Sequence, residues 1–422
     1  MKNFLETDIE YFENHTFIID VDGTLTLDKN KDISSSVFNK LIKLKERNNL
    51  YLCSNGSWEN AKKFAEMSGC SYLVCKKPFT GVFNKILKNI DKERVVVVGD
   101  KYLTDGLLAK FLGVKFIKVD HLSCRDDSLV AKLSYILDDI VWAVLPYIRL
   151  VRPWQWIKNL LVFAPVFFAV GVLNSSLFSR TLLVFITFCL ASSLVYTFND
   201  ILDYKQDSLH PKKKNRPIAS AEISKKNAIL LIFFLAIGIF YLVMLVPSII
   251  LPILLYVVIN IFYSFKLKHI AVLDIILISL FYILRIIAGG LATEIYVSPW
   301  IVVCVFFGSL FVILGKRRAE HTKENRRLVL NDYSSEALNF MLGISASLAI
   351  IAYGIWSVTE HNSPYLVYST IFVVFAIFRI LNHIYTNPHE AESPEILVFK
   401  DRLILGSFLS WGVYIFWLFY LV

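Results

Sequence analysis

Cysteine is scarce in this chain, and its positions follow no pattern that would bind metal or form disulfides. The six cysteines among 422 residues lack both the spacing of zinc ligands and any pairing pattern. We therefore expect reduced, structural cysteines, which excludes a disulfide scaffold and a zinc centre. They are Cys53, Cys70, Cys75, Cys124, Cys189 and Cys304.

Charged residues are also few: they make up 19% of the chain, against 56% for hydrophobic residues. This composition is too apolar for a soluble globular protein of this size. The apolar residues are unevenly placed, because residues 1 to about 140 read as a soluble domain and long apolar runs begin near residue 157. The sequence predicts an integral membrane protein with two domains.

The amino terminus lacks the apolar core of a cleavable signal, because residues 1–14 are acidic and polar. We expect it to stay in the cytoplasm. Beyond the soluble domain the hydropathy pattern predicts nine membrane spans. They cover residues 157–173, 180–198, 227–246, 248–264, 272–292, 299–315, 337–358, 364–386 and 402–421.

The formal charge of +9 does not indicate nucleic-acid binding, because the basic residues lie between the predicted spans. Alternate connections hold nearly all of them, and the other connections hold little beyond Arg180. The positive-inside rule then places the basic connections and the soluble domain in the cytoplasm, and the carboxyl terminus outside.

Three apolar segments of the first domain end in polar residues. The first ends at Asp20, with Asp22 behind it; the second ends at Ser54; the third ends at Asp100, with Asp105 close behind. Continuous apolar runs are typical of parallel strands buried on both faces. Because the carboxyl ends of such strands meet in one crevice of a doubly wound α/β sheet, we expect these side chains to form a site.

The segments DVDGT (residues 20–24) and GDKYLTD (residues 99–105) together resemble the haloacid dehalogenase (HAD) phosphatase superfamily, with its Rossmann-like α/β fold. The resemblance covers essentially the whole domain. It implies that Asp20 is the nucleophile, Asp22 the general acid and base, and Ser54 a phosphate ligand. A domain that keeps the motif without turnover is the alternative.

The same resemblance implies a magnesium site and a cation for the phosphate. Mg²⁺ would bind Asp20, Asp100 and Asp105, and Lys77 would neutralise the phosphate, with Lys76 as a rival. The intervals from Asp20 to Ser54 and on to Lys77 are too short for a folded cap. We therefore expect an open site that suits a phosphate on a lipid head group, and capless phosphatases of the phosphatidylglycerophosphate type look similar here.

Residues 126–148 separate the phosphatase-like domain, 1–125, from the membrane domain, 149–422. Within this segment six apolar residues share one helical face: Leu129, Leu133, Ile136, Leu137, Ile140 and Val144. Two interpretations stay open. The segment is either an interfacial helix on the bilayer or a linker helix packed on the soluble domain.

The segment NDILDYKQD, residues 199–207, places carboxylates at the end of an apolar span. Asn199, Asp203 and Asp207 recur every four residues and share a helical face, with Asp200 beside them. Crowded carboxylates repel one another and are costly to desolvate at a membrane, so a cation should bind them. A divalent metal that holds a diphosphate is the candidate.

This segment, together with HPKKKNRPIA (residues 210–219), resembles the UbiA prenyltransferase superfamily. More narrowly, the membrane domain is similar to the decaprenyl-phosphate phosphoribosyltransferases over nearly all of residues 145–422. The similarity extends through RPWQWIKN (152–159), the segment from residue 265 to 290, GSLFVILGKRRAE (308–320) and KDR (400–402). The nine predicted spans agree with the helical bundle of the superfamily.

The resemblance implies transfer of a 5-phosphoribosyl group from phosphoribosyl diphosphate to a polyprenyl phosphate. Mg²⁺ held by Asn199, Asp200, Asp203 and Asp207 would neutralise the departing diphosphate. Candidate phosphate ligands in the basic connections are Lys212, Lys214, Arg216, Lys266, Lys268, Lys316 and Arg317. The alternative for the lysines is topological, since cytoplasmic loops are basic in any case.

Arg285 lies mid-span and needs a partner. Tyr282 is one turn away and Asp274 lies on the same face, which predicts a polar seam; a structural ion pair is the alternative. Near the first span, Arg152, Gln155 and Lys158 are candidates to bind the lipid phosphate, although Arg152 and Lys158 could equally anchor the topology.

One feature of typical prenyltransferases is missing, namely a second carboxylate-rich motif for a second metal. That region offers only Asp274, which favours a sugar diphosphate over a prenyl diphosphate as donor. Prenyl transfer to an aromatic or other acceptor is the alternative. A lipid-binding scaffold or transporter with an independent phosphatase is a third hypothesis, disfavoured because the polar motifs all lie on one face.

Overall fold

The computed structural model describes residues 2–27, 33–55, 58–122, 128–169, 171–211, 213–321, 328–359, 364–388 and 394–421. The chain forms two compact units, Met1–Pro146 and Tyr147–Val422. The division falls inside one helix, Leu129–Val151.

Unit 1 is built on a five-stranded parallel sheet in the order β3-β2-β1-β4-β5. The strands are β1 (Thr16–Asp20), β2 (Asn49–Ser54), β3 (Ser71–Val74), β4 (Val95–Gly99) and β5 (Lys115–Lys118). The helices are α1 (Ser35–Arg47), α2 (Trp58–Ser68), α3 (Gly81–Ile86), α4 (Leu107–Leu112) and α5 (Leu129–Val151), with a 3-10 turn at Lys92–Arg94 and a π turn at Tyr102–Gly106. The predicted α/β class is confirmed.

Alternate residues of the central strands enter two different cores. Phe17 and Ile19 pack in one hydrophobic cluster with Val96 and Val98, whereas Ile18 packs in another with Val97. A strand buried on both faces explains the uninterrupted apolar runs in the sequence. β1 and β4 pair in register from Thr16 opposite Val95, so their carboxyl ends lie side by side.

Helix α5 packs on unit 1 through one face. The Asp138 carboxylate accepts hydrogen bonds from the backbone N–H groups of Tyr102 at 2.9 Å and Leu103 at 2.7 Å. It also accepts one from Lys118 Nζ at 2.5 Å. The Trp142 ring lies 5.5 Å from that of Tyr102. This face of the helix is therefore packed against unit 1.

Unit 2 is all helical in its described residues. After a 3-10 helix at Pro153–Phe163 come α6 (Ala164–Phe168), α7 (Ser175–Leu209), α8 (Lys225–Leu245), α9 (Ile250–Phe265), α10 (Leu273–Thr293), α11 (Pro299–His321), α12 (Ser335–Thr359), α13 (Thr370–Thr386), α14 (Pro394–Lys400) and α15 (Arg402–Tyr420). Shorter 3-10 turns lie at Lys213–Asn215, Pro247–Ile249, Leu267–His269, Leu328–Asp332 and Pro364–Ser369.

Eight helices in the described residues are long and apolar enough to cross a membrane, and they coincide with the second to ninth predicted spans. The first predicted span, 157–173, is different: it is the 3-10 helix followed by the single turn α6. Pro153 and Pro165 each lack a backbone N–H donor, which breaks the α-helical hydrogen-bond pattern at both places.

A glycine lets the 3-10 helix lie close against α10. A Cβ atom on Gly289 would fall 2.1 Å from the Val162 carbonyl oxygen. Only a residue without a side chain permits this approach. The irregular segment is thereby held against α10 at Val162, whereas at its other end Arg152 meets the Asp200 carboxylate of α7.

Candidate active sites

The carboxyl ends of β1 and β4 bring three carboxylates together in unit 1. Oxygen atoms of Asp20, Asp100 and Asp105 all lie within 4.8 Å of one another, and all three residues are buried. Lys77 donates from Nζ to Asp20 and, at 2.6 Å, to Asp105. The structure therefore brings together the residues expected to bind magnesium and phosphate, and Lys77 rather than the exposed Lys76 enters the cluster.

The remaining phosphatase candidates lie at the end of β2. Ser54 donates a hydrogen bond from its hydroxyl to Asp22. Asn55 pairs with the backbone of Lys77 in both directions, at 3.1 Å and 2.8 Å, and so fixes the loop that carries this lysine. Gly23, at a φ of +79°, forms the turn after β1, where a Cβ would fall 2.6 Å from an Asp100 oxygen.

The charges in this cluster are unevenly balanced. Burial raises the pKa of Asp20 well above its usual value; the Lys77 ammonium opposes this and the other two carboxylates add to it. Burial likewise raises the pKa of Asp105. Burial also acts to lower the pKa of Lys77, but the carboxylates of Asp105 and Asp20 outweigh it and raise that pKa. One ammonium thus faces more negative charge than it neutralises.

The donor set fits Mg²⁺. Carboxylate oxygens are hard ligands of the kind that this ion prefers, and the three groups are close enough to share one ion. Extra positive charge would favour the ionised form of Asp20, the form that a nucleophile needs.

His121 is a member of this site that the sequence did not reveal. Its Nδ1 lies 2.8 Å from Asp100 Oδ2, and its ring stacks on Tyr135 of α5 at 3.3 Å between centroids. Thr24 donates to the other Asp100 oxygen at 3.1 Å. Burial acts to raise the pKa of Asp100, but the hydrogen bond to His121 and the nearby positive charges together outweigh it and lower that pKa.

In unit 2 the carboxylates at the end of α7 face cationic side chains. Asp200 accepts from Arg152 at 2.5 Å and from Arg216 at 3.1 Å. Arg216 also donates to Asp207 at 2.6 Å, and Lys213 lies 3.9 Å from that carboxylate. Positive and negative groups therefore alternate across the cluster.

A second connection adds Lys268, which donates to both oxygens of Asp203 at 2.9 and 3.1 Å. Asn199 and Lys316 are half-buried, whereas Lys214 and Lys266 are exposed. Lys158 donates to its neighbour Gln155 at 2.6 Å. Lys212 lies outside the described residues.

Arg152 adopts a backbone conformation that L-residues rarely use. Its φ of +54° lies in the left-handed region, at the junction between α5 and the 3-10 helix. Such strain costs about 1–3 kcal/mol and persists where surrounding contacts hold it. The ion pair with Asp200 and the placement of the guanidinium 5.1 Å from the Tyr196 ring centroid are contacts of this kind.

The donor chemistry here also fits a divalent metal. Asp200 is 2% exposed, and its Oδ2 is buried with no hydrogen-bond partner among the described residues. A buried carboxylate oxygen without a donor is costly, and a cation would satisfy it.

The predicted polar seam is divided into two clusters. Arg285 donates to Asn159 at 2.7 Å and to the Phe281 carbonyl at 2.5 Å, and its guanidinium lies 5.7 Å from the Tyr282 ring centroid. In the sequence analysis Asn159 appeared only as the last residue of the segment RPWQWIKN (152–159). This cluster joins the 3-10 helix to α10.

Asp274 belongs to the other cluster. It accepts from Arg317 at 2.8 Å and from the Tyr333 hydroxyl at 2.8 Å. Arg317 also contacts Glu320 at 3.2 Å, and its Nε is buried without an acceptor in the described part of the chain. Tyr333 was missed because it lies 59 residues from Asp274 in a connection without a motif.

Comparisons with known proteins find relatives of both units. A HAD-hydrolase-like family model matches residues 74–143. The chain is 34% identical over 283 residues to a decaprenyl-phosphate phosphoribosyltransferase of Mycolicibacterium smegmatis, covering 63% of this chain and 89% of that protein. It is 30% identical over 279 residues to one of Corynebacterium glutamicum, covering 63% and 83%.

The fold of unit 2 also has solved relatives. A UbiA homolog from Archaeoglobus fulgidus, solved bound to DMAPP and Mg²⁺, matches with a TM-score of 0.51 at 19% identity, over 64% of this chain and 98% of that one. The model of the UbiA prenyltransferase family matches residues 160–399, more than half of the chain. This chain therefore belongs to the UbiA prenyltransferase family and is an integral membrane enzyme of that type.

Proposed function

We propose that unit 2 transfers a 5-phosphoribosyl group from phosphoribosyl diphosphate to a polyprenyl phosphate. The observation that carries the proposal is the alternation of carboxylates and cations around Asp200, which suits a metal and a diphosphate together. The names of the relatives in Mycolicibacterium smegmatis and Corynebacterium glutamicum support this donor and acceptor.

In the proposed reaction a phosphate oxygen of the lipid forms a bond to the anomeric carbon of the ribose. The bond from that carbon to the diphosphate breaks, and diphosphate leaves with the electron pair. Arg152 and Arg216 would turn from the Asp200 carboxylate to the phosphate oxygens, because a guanidinium binds either partner in the same forked geometry. The lipid phosphate is already an oxyanion, so little base catalysis is needed.

Asn199, Asp200, Asp203 and Asp207 are the proposed metal ligands of unit 2. Bound Mg²⁺ would supply charge neutralisation at the leaving diphosphate. Lys268 would release Asp203 for this role and remain beside the diphosphate as a further cation. Both active sites would face the cytoplasm, as the distribution of basic residues predicts.

An apolar cavity of about 440 Å³ in unit 2 suits part of an isoprenoid tail. It is lined mainly by aromatic and aliphatic side chains, with Phe163, Phe168, Tyr353, Trp356 and Trp411 among them. Ligand pockets for apolar groups have this composition.

For unit 1 we propose removal of the 5-phosphate from the lipid product. Asp20 would attack the phosphorus and form an aspartyl phosphate; the bond to the ribose 5-oxygen breaks, and Asp22 gives that oxygen the proton that makes it a hydroxyl. Asp22 would then take a proton from the water that hydrolyses the aspartyl phosphate. Lys77 and Ser54 would hold the phosphate oxygens. Because both units lie on one chain, the product of the first reaction is at high effective concentration for the second.

The test uses the full chain in proteoliposomes with polyprenyl phosphate, labelled phosphoribosyl diphosphate and Mg²⁺, and mass spectrometry of the lipids. The wild type should form polyprenyl-phosphoryl ribose, and Asp20→Asn should accumulate the 5-phosphorylated lipid. Asp203→Ala or Asp207→Ala should form no ribosylated lipid, whereas Glu46→Ala, at an exposed carboxylate outside both sites, should behave as wild type.

Each of the other possible results would contradict a different part of the proposal. If Asp20→Asn gives the same products as wild type, the coupling of the two units is wrong. Retained transfer in Asp203→Ala and Asp207→Ala would remove these residues from the metal site. A prenylated product from a prenyl diphosphate and an aromatic acceptor would favour the alternative reaction, and lipid exchange equally on both membrane faces would favour a transporter.

A further inference from the structure

Helix α5 presents an apolar face that nothing in the described residues covers. Six aliphatic side chains line it, with exposed fractions from 44% at Val144 to 79% at Leu129: Leu129, Leu133, Ile136, Leu137, Ile140 and Val144. At 100° per residue these positions fall on one side of the helix. Contiguous apolar surfaces of this extent mark contact with a partner or a membrane.

The opposite face of the same helix is part of unit 1 and touches its active site. Tyr135 stacks on His121, whose Nδ1 contacts the Asp100 carboxylate. One turn further on, Asp138 holds the backbone at Tyr102 and Leu103, just before Asp105. Whatever the apolar face contacts is therefore separated from the phosphatase carboxylates by the thickness of one helix.

We propose that α5 lies in the surface of the lipid bilayer, with the six-residue apolar face inserted, and thereby holds the phosphatase site against the membrane. A lipid surface is the occupant because the helix runs on past Tyr147, where the membrane unit begins, and ends at Val151 inside that unit. An apolar face on a helix tethered to a bilayer at one end has that bilayer as its nearest partner.

The charged side chains of the helix lie beside or opposite the apolar face and do not interrupt it. Lys132 is exposed at the border of the apolar face. The exposed Asp139 lies 3.0 Å from Lys118, which it shares with Asp138. Basic residues beside an inserted apolar face are typical of interfacial helices.

This inference deepens the proposed phosphatase function, since it explains how an open site would reach a phosphate that stays at the membrane. A water-soluble phosphate ester does not require such docking. The same chain should therefore respond differently to the two kinds of substrate when the apolar face is changed.

The first experiment tests the location of the helix without any activity. A photoreactive p-benzoylphenylalanine is placed at Ile140 of the full chain in phosphatidylglycerol-containing vesicles, and adducts are identified by mass spectrometry. Met67 on α2 is the matched control, because both side chains are 55% exposed. We expect lipid adducts at Ile140 and none at Met67. Adducts to another copy of the chain, or equal lipid labelling at both positions, would overturn the proposal.

The second experiment separates docking from catalysis. The double substitution Leu133→Glu and Ile140→Glu should lower hydrolysis of the lipid-linked 5-phosphate by about tenfold or more and leave hydrolysis of p-nitrophenyl phosphate unchanged. Equal rates on the lipid substrate, or equal losses on both, would contradict docking. If the wild type hydrolyses neither substrate, the phosphatase function fails, and the photolabelling still tests the helix.

Discussion

Replacing Arg317 with methionine should destabilise unit 2 by about 3–5 kcal/mol, the usual cost of removing one partner of a buried ion pair. Asp274 is 0% and Arg317 2% exposed, and the two side chains meet at 2.8 Å. Methionine fills much of the same space, so the loss is mainly electrostatic. The Asp274 carboxylate would keep only the hydrogen bond from Tyr333 among those described.

The measurement is the thermal midpoint of the purified full chain in detergent at a fixed heating rate. At about 2–4 °C per kcal/mol for a domain of roughly this size, the midpoint assigned to unit 2 should fall by about 6–20 °C. The double variant Asp274→Asn with Arg317→Met should recover much of this loss, because it leaves no buried charge.

The outcome also decides what the pair does. If Arg317→Met leaves the midpoint unchanged while the KM for phosphoribosyl diphosphate rises, the reasoning from burial is refuted and the arginine acts on substrate. A fall in both stability and affinity would fit the buried Nε, which has no acceptor in the described residues and is available for a phosphate oxygen.

Three further predictions concern unit 1 and the junction. Lys77→Met should lower p-nitrophenyl phosphate hydrolysis by about 10²–10³-fold. It should also move the acid limb of the pH–rate profile to higher pH, because loss of the ammonium raises the pKa of Asp20 further. An unshifted acid limb would show that Asp20 does not set that limb. Lys40→Met should speed hydrogen exchange at residues 2–9. The Lys40 ammonium donates to the carbonyls of Phe4, Leu5 and Thr7 at 2.5–3.0 Å, and its removal costs about 2–3 kcal/mol. Unchanged exchange rates would contradict a stabilising role for Lys40. Arg152→Gly should relieve backbone strain yet abolish ribosyl transfer, whereas retained transfer would mean that the guanidinium is dispensable.

The sequence predicted those features that depend on local pattern. Strands that end at Asp20, Ser54 and beside Asp100 were visible as apolar runs because both faces of the sheet are buried. Eight spans were visible because a long apolar helix is a property of composition. The first span was wrong in form, since hydropathy reports which residues avoid water and not which backbone hydrogen bonds they make.

Partners distant along the chain were not predictable in the same way. Arg285 meets Asn159, 126 residues earlier, and Asp274 meets Arg317, 43 residues later. Helical spacing shows which residues share a face, but not which neighbouring helix that face meets. The seam of Asp274, Tyr282 and Arg285 was predicted on one face, and the packing of α10 between two sets of neighbours divides it.

The alternation of charges at the end of α7 has a consequence for how substrates arrive. Three carboxylates, Asp200, Asp203 and Asp207, face four cations, Arg152, Lys213, Arg216 and Lys268. The resting site is thus already close to electroneutral and carries its own counterions. Metal and diphosphate would then enter by exchanging ionic partners rather than by building up charge in a membrane protein, and the affinity for each should depend steeply on the presence of the other.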